Sequence, residues 1–158
     1  AIAQFAAAGK EVKKKDLAAI AMSYGYVYVA QIAMGADYNQ CIKAFIEAEK
    51  YDGPSVIIAY APCIAQGILK GMTNSIDEEK KATQVGYFPI FRYNPIDDKF
   101  TLDSKADFDK YKEFLVGENR YRSLAKTNPS EFEKLLDENL ADAKRKYEYY
   151  LQLSQMKK

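Results

Sequence analysis

The stretch Ser55-Val56-Ile57-Ile58-Ala59-Tyr60-Ala61-Pro62-Cys63 decides the fold class. Its four consecutive apolar residues, Val56 to Ala59, follow the breaker pair Gly53-Pro54 and read as a strand that is apolar on both faces. Such a strand suits the middle of a parallel sheet covered by helices above and below. Ligands of open α/β sheets gather beyond the carboxyl ends of the strands, and Ala61-Pro62-Cys63 lies at such an end.

Working upstream, Asp16 is placed to cap a first helix whose apolar side is Leu17, Ile20 and the neighbouring alanines, with Gly25 as its stop. Tyr26 to Val29 has strand composition. After Gly35, Asp37 or Asn39 caps a second helix to about Lys50, whose buried face is expected to be Ile42, Phe45, Ile46 and Ala48. Helix, strand, helix, strand predicts an α/β layer with a parallel sheet.

Downstream, Ile64 to Met72 reads as a short helix or loop, and Ser75 to Val85 as a polar helix. Tyr87 to Tyr93 and Phe100 to Leu102 form a hairpin across Asn94-Pro95, and Pro89 argues for an edge position. In the last third, Phe108, Tyr111 and Leu115 share one side of a helix that bends near Gly117. Asn128-Pro129 breaks the chain, Ser130-Glu131-Phe132-Glu133 reads as a capping box, and Phe132, Leu136, Leu140, Ala143, Tyr147 and Leu151 continue as an amphipathic stripe. The expected organisation is an α/β part over 1–86, a hairpin connector over 87–105 and a helical hairpin over 106–158.

The composition is that of an ordinary globular domain: 158 residues, 48% hydrophobic, 28% charged, net charge +1. The short run Lys13-Lys14-Lys15, followed at once by Asp16, is no nucleic-acid footprint. No apolar stretch has the length of a membrane span, and no charged segment precedes an apolar one as in a secretory signal. Two cysteines make no disulfide framework, so a reduced, cytoplasmic protein is expected. Histidine is absent, which removes triads and metal sites built on imidazole. The start at Ala1, running into Phe5-Ala6-Ala7-Ala8-Gly9, suggests a fragment.

Among candidate sites, Cys63 comes first. By composition alone a lone cysteine after an apolar strand is a small buried hydrophobe. Its place at a strand end favours a functional thiolate, and with no histidine to activate a nucleophile, the metal-ligand reading is the better one. Cys41 lies within the second helix and is explained by packing. Gly67, Lys70 and Gly71 match no phosphate-binding pattern. Asp97-Asp98 and Glu78-Glu79 read as solvated faces, and the 13 tyrosines as packing and interface residues.

From Lys14 onward the chain resembles the end of the thiamine-diphosphate domain of pyruvate:ferredoxin (flavodoxin) oxidoreductases. The resemblance is carried by Lys15-Asp16-Leu17, by Ala21 to Gln31, by Gly53-Pro54-Ser55 and, most specifically, by Ile58-Ala59-Tyr60-Ala61-Pro62-Cys63. It continues through Arg92-Tyr93-Asn94-Pro95, Phe100 to Ser104 and Glu118-Asn119-Arg120-Tyr121. It implies that Cys63 is the last ligand of the [4Fe–4S] cluster nearest the thiamine. It also implies that the other three ligands, and the motifs holding thiamine diphosphate and Mg2+, lie upstream of this chain, so no catalytic or cofactor-contacting residue besides Cys63 is carried over. The implied reaction is oxidative decarboxylation of pyruvate to acetyl-CoA and carbon dioxide, with electrons passing through the clusters to ferredoxin or flavodoxin. The implied partners are coenzyme A, the rest of the parent polypeptide and a second copy in a homodimer; the isolated piece is expected to be inactive. Two other readings stand beside it: a small interaction module with Cys63 merely buried, and an oxidoreductase for another 2-oxoacid.

Overall fold

The computed structural model describes residues 14–156; the opening Ala1 to Gly9 and Lys13, singled out in the sequence, lie outside the described residues. Helix α1, Leu17–Met22, starts where the Asp16 carboxylate accepts a bond from the Ala19 amide at 3.2 Å. The chain reverses through Gly25, whose φ of +76° is one that residues with a Cβ rarely adopt, and enters strand β1, Tyr28–Ile32. Asp37 caps helix α2, Tyr38–Lys50, by accepting from the Gln40 amide. Strand β2, Ser55–Ala59, then lies parallel to β1, with Tyr28 opposite Ser55 and Ile32 opposite Ala59.

A loop and a short 3₁₀ turn, Met72–Asn74, lead to helix α3, Ser75–Gln84. Strands β3, Phe91–Asn94, and β4, Lys99–Leu102, form the expected antiparallel hairpin. The hairpin joins the same sheet through β3, which pairs antiparallel with β1, giving the order β2-β1-β3-β4. The fold is therefore α/β with a mixed sheet whose parallel part is the β1–β2 pair. After a 3₁₀ turn at Phe108–Lys110 come helices α4, Tyr111–Gly117, α5, Asn119–Thr127, and α6, Pro129–Gln155.

Strand β1 is buried along its whole length because both sheet faces are covered. Val29 and Phe91 pack with Tyr150 of α6 and with Ala18 and Ala21 of α1, whose small side chains let the helix sit close while Leu17 and Ile20, expected on its packed side, are exposed. Tyr28, Ala30 and Ile32 pack against Cys41 and Ala44 of α2. A third apolar cluster, built from Tyr111, Leu115, Tyr121, Leu124, Phe132 and Leu136 among others, joins α3 to the helical tail.

Several sequence expectations change here, each for a physical reason. β2 sits at the sheet edge among the described strands, with its residues half-buried or exposed, instead of in the middle. β3 is interior, and Pro89 precedes it, so the missing amide removes no ladder bond. Asn128, not Ser130, caps α6, accepting from the Glu131 amide, with Pro129 as the first helical residue; Glu133 instead pairs with Lys112 at 2.7 Å. The α6 stripe runs through the fully buried Tyr150 to the half-buried Leu153, and Leu151 is exposed.

Helix α2 is turned the other way round. Ile42 and Phe45 are each 57% exposed and Ile46 is 45% exposed, whereas Gln40, Cys41 and Ala44 are buried. The cause is a polar network that needs Gln40 and Glu47 to face the sheet. The Arg92 guanidinium bonds both Asp103 oxygens at 2.8 Å and Glu47 at 2.6 Å. Tyr28 donates to the other Glu47 oxygen at 2.9 Å, and Gln40 donates to Asp103 and to the Gln31 carbonyl. With these two side chains inward, the small Cys41, Ala44 and Ala48 lie against the β1–β2 pair and the large apolar residues point outward.

Asp103→Ala removes a fork of two charge-assisted bonds and leaves Arg92 with one carboxylate. The expected loss is roughly 3 kcal/mol, the lower end for breaking a buried pair, because Glu47 still faces the guanidinium. Urea unfolding at neutral pH checks this, and a loss below about 1 kcal/mol would show the network to be solvated.

Candidate functional site

The site is built at the carboxyl end of β2. The Tyr60 amide donates to the Ile32 carbonyl at 3.0 Å, so the parallel pairing runs one residue past the strand before Ala61 and Pro62 turn the chain away. Cys63, half-buried and free, opens a turn in which its carbonyl accepts from the Gly67 amide at 2.8 Å. Gly67 has a φ of +75°, which lets the chain double back beside Cys63.

The returning segment is received by the break between α4 and α5. Helix ends leave carbonyls and amides without intrahelical partners. Here the Gly117 carbonyl accepts from the Leu69 amide at 2.9 Å, and the Asn119 amide donates to the Gly67 carbonyl at 3.2 Å. Between them Glu118 is extended and pairs with Ile68 as an isolated antiparallel bridge. The Asn119 side chain adds a bond to the Gln66 carbonyl at 3.1 Å.

Behind the loop lies a buried cluster of tyrosines and charges. The Tyr60 hydroxyl donates to Glu118 Oε1 at 3.0 Å, and Arg120 pairs with Glu118 Oε2 at 2.6 Å. The Tyr87 and Tyr121 hydroxyls meet at 2.9 Å, with Arg120 donating to Tyr87 at 3.4 Å. Burial, with the Glu118 carboxylate close by, pushes the Tyr60 phenol far above its ordinary value, so Tyr60 stays a donor at any ordinary pH. Tyr121 is raised likewise, by burial first and then by Tyr87.

Glu78 and Glu79, expected as a solvated face, are both buried. Glu79 accepts from the Gly35 amide at 2.9 Å, where the chain passes so close to the Ile76 backbone that only glycine fits. Glu78 pairs with Lys81 at 3.5 Å, and its Oε1 is buried without a protein partner. Asp97 and Asp98 are exposed, as expected, and Cys41 is a packing residue whose thiol burial pushes up.

Among the described residues no group of three or more Cys, His, Asp or Glu is gathered as metal ligands would be. Cys63 offers one soft donor at a strand end, which fits one corner of a cluster whose other ligands come from elsewhere. The contacts of Tyr60 with Glu118 and of Gln66 with Asn119 join segments far apart in sequence, and no local pattern around Cys63 signals them.

Burial raises the Glu78 carboxyl; Lys81 opposes this and nearby Glu118 adds to it. A raised value in the folded state means that the stability Glu78 contributes is present below its ordinary value of 4.5 and lost as pH rises through the folded value. Glu78→Gln, which cannot ionise, is therefore expected to melt higher than the parent chain at about pH 7, with the gap closing near pH 4. Thermal unfolding followed by circular dichroism checks the order, and a lower melting point for the variant at neutral pH would give the decision to the Lys81 pair.

Comparison with known proteins gives a consistent picture. No family model matches the chain. It is 54% identical over 160 residues to the pyruvate:ferredoxin oxidoreductase of Moorella thermoacetica, covering 98% of this chain and 14% of that protein. Pyruvate-flavodoxin oxidoreductase of Klebsiella pneumoniae is 46% identical over 98% of the chain and 14% of that relative. The mitochondrial NADP-dependent pyruvate dehydrogenase of Euglena gracilis is 44% identical over 89% of the chain and 8% of that protein. The chain thus spans about one seventh of the length of the first two relatives, 14% of each. At 54% and 46% identity sustained over 98% of its residues, the chain belongs to the pyruvate:ferredoxin/flavodoxin oxidoreductase family, matching one part of its long members.

Proposed function

We propose that the chain serves in a pyruvate:ferredoxin or pyruvate-flavodoxin oxidoreductase as the part that supplies Cys63 to a [4Fe–4S] cluster. In that reading 1–86 completes the thiamine-diphosphate domain, 87–105 is its connector and 106–158 its helical tail. The observation that carries it is the placement of Cys63: half-buried in a hydrogen-bonded loop at the carboxyl end of a parallel strand, in a chain matching these enzymes over 98% of its length. The cluster, when bound, would supply single-electron transfer toward ferredoxin or flavodoxin. Cys63 would hold one iron, and the surrounding turn would fix where that thiolate stands. Thiamine diphosphate, Mg2+, pyruvate and coenzyme A would be bound by other parts of the parent polypeptide, as a homodimer in a reducing, cytoplasmic compartment; both cysteines of this chain are free.

Two surfaces support a place within a larger polypeptide. β2 leaves one edge unpaired among the described strands, and α2 turns Tyr38, Ile42, Phe45 and Ile46 outward as an apolar stripe. An open edge beside an apolar helix face is where neighbouring parts of a parent chain add strands and cover side chains. No described helix is long and apolar enough to cross a membrane.

The test uses the full-length enzyme carrying Cys63→Ser. The expected result is loss of one cluster signal in the EPR spectrum of the reduced protein, with about four fewer iron atoms per chain and the other signals intact. Full iron and sulfide with an unchanged spectrum would reduce Cys63 to a packing residue and favour the reading in which this chain only docks partners.

A further inference from the structure

We propose that the break between α4 and α5 is a positioning device for the Cys63 thiol. The inference rests on the reading of Cys63 as a cluster ligand and names the residues that set where that ligand stands. A five-residue turn after a strand end has few contacts of its own, and a ligand on it would wander by more than the tolerance of a metal–sulfur bond. Here the turn is pinned on both sides. Before Cys63, Tyr60 is held by its amide to Ile32 in β1 and by its hydroxyl to Glu118. After it, Gln66, Gly67 and Leu69 are bonded to the Asn119 side chain, the Asn119 amide and the Gly117 carbonyl. Three consecutive residues, Gly117, Glu118 and Asn119, therefore take both ends of the turn, and Arg120 holds the Glu118 carboxylate in place from within the tail at 2.6 Å.

The arrangement uses groups that a continuous helix would have consumed. Had α4 run into α5 without interruption, the Gly117 carbonyl and the Asn119 amide would bond within the helix, and the turn would lose its backbone partners. The extended backbone of Glu118 is what frees them. Tyr60, Glu118 and Asn119 are accordingly positioning residues, and the interruption at Glu118 has a role beyond linking two helices.

The test measures the Cys63 thiol directly and needs no cluster. In the full-length enzyme, stripped of iron under anaerobic conditions, alkylation of Cys63 by iodoacetamide is followed by peptide mass spectrometry, with Cys41 as internal reference. Asn119→Ala is mild, since Asn119 is exposed, and Tyr60→Phe removes only a hydroxyl. Each is expected to raise the rate at Cys63 relative to Cys41 about fivefold, the factor carried by one net hydrogen bond. Tyr150→Phe, which deletes the comparable bond to Asp16 at 2.6 Å in the other core, is the control and is expected to leave the ratio unchanged. A general loosening of the fold would raise both cysteines together and overturn the proposal, as would parent-like ratios in both variants. In the iron-loaded enzyme the same variants are expected to shift the EPR signal that Cys63→Ser abolishes, with iron content retained. If Cys63→Ser abolishes no signal, the cluster reading fails, while the labelling ratio still decides the positioning role on its own.

Discussion

An arginine buried at the centre of a sheet keeps its charge at every pH a protein meets, so the fold must be arranged around it. Arg92 sits on β3 with its side chain about one tenth exposed, between Asp103, just past β4, and Glu47 on α2. Its three bonds fix the distance and rotation of α2 relative to the sheet, and Tyr28 on the neighbouring strand closes the second Glu47 oxygen. Burial works against the charged guanidinium, yet the two carboxylates, Asp103 foremost, hold it firmly in that form. Once this group is satisfied, the register of β1 with β3 and the inward face of α2 are no longer free choices. The parallel β1–β2 pair, and with it the strand end that carries Cys63, is laid down against that frame.

This constraint explains what could be read from the sequence and what could not. Short-range signals held where their cause is local: Asp16 and Asp37 cap helices because their carboxylates reach the amide three residues on, and Gly25 ends the first helical segment because the backbone needs a positive φ. The hairpin between Phe91 and Leu102 was likewise legible from alternation and turn residues. Helix α2 defeats a local reading because its apolar stripe lies on the side that the described chain leaves uncovered. The stripe is present, but Gln40 and Glu47 have longer-range partners, Asp103 and Arg92, which no window of neighbouring residues contains. The paired acids Glu78 and Glu79 misled for the same reason, since the amide of Gly35 and the tail around Glu118 are far away in sequence.

The outward face of α2 and the half-covered β2 are better understood together. A strand apolar on both faces would not be stable as a bare edge of an isolated domain, and a helix with Tyr38, Ile42, Phe45 and Ile46 facing solvent carries an avoidable cost. The sequence features that first suggested an interior strand thus retain their physical meaning at a position where the described chain supplies only one neighbour. The family relationship covers 14% of the length of the relatives, which leaves ample polypeptide to meet such surfaces.

Tyrosine does much of the long-range work in this chain, which has 13 tyrosines and no histidine. Three phenols donate to carboxylates across 19, 58 and 134 residues: Tyr28 to Glu47, Tyr60 to Glu118 and Tyr150 to Asp16. Hydrogen bonds to ionised acceptors are stronger than neutral ones, and each of these is shielded by packing, so each can hold distant segments at a fixed spacing. The second of the three reaches the residue three before Cys63. The place of that thiol is consequently a property of the helical tail as much as of the strand that leads to it. A local reading of Ala61-Pro62-Cys63 could therefore mark the residue while leaving unseen what holds it.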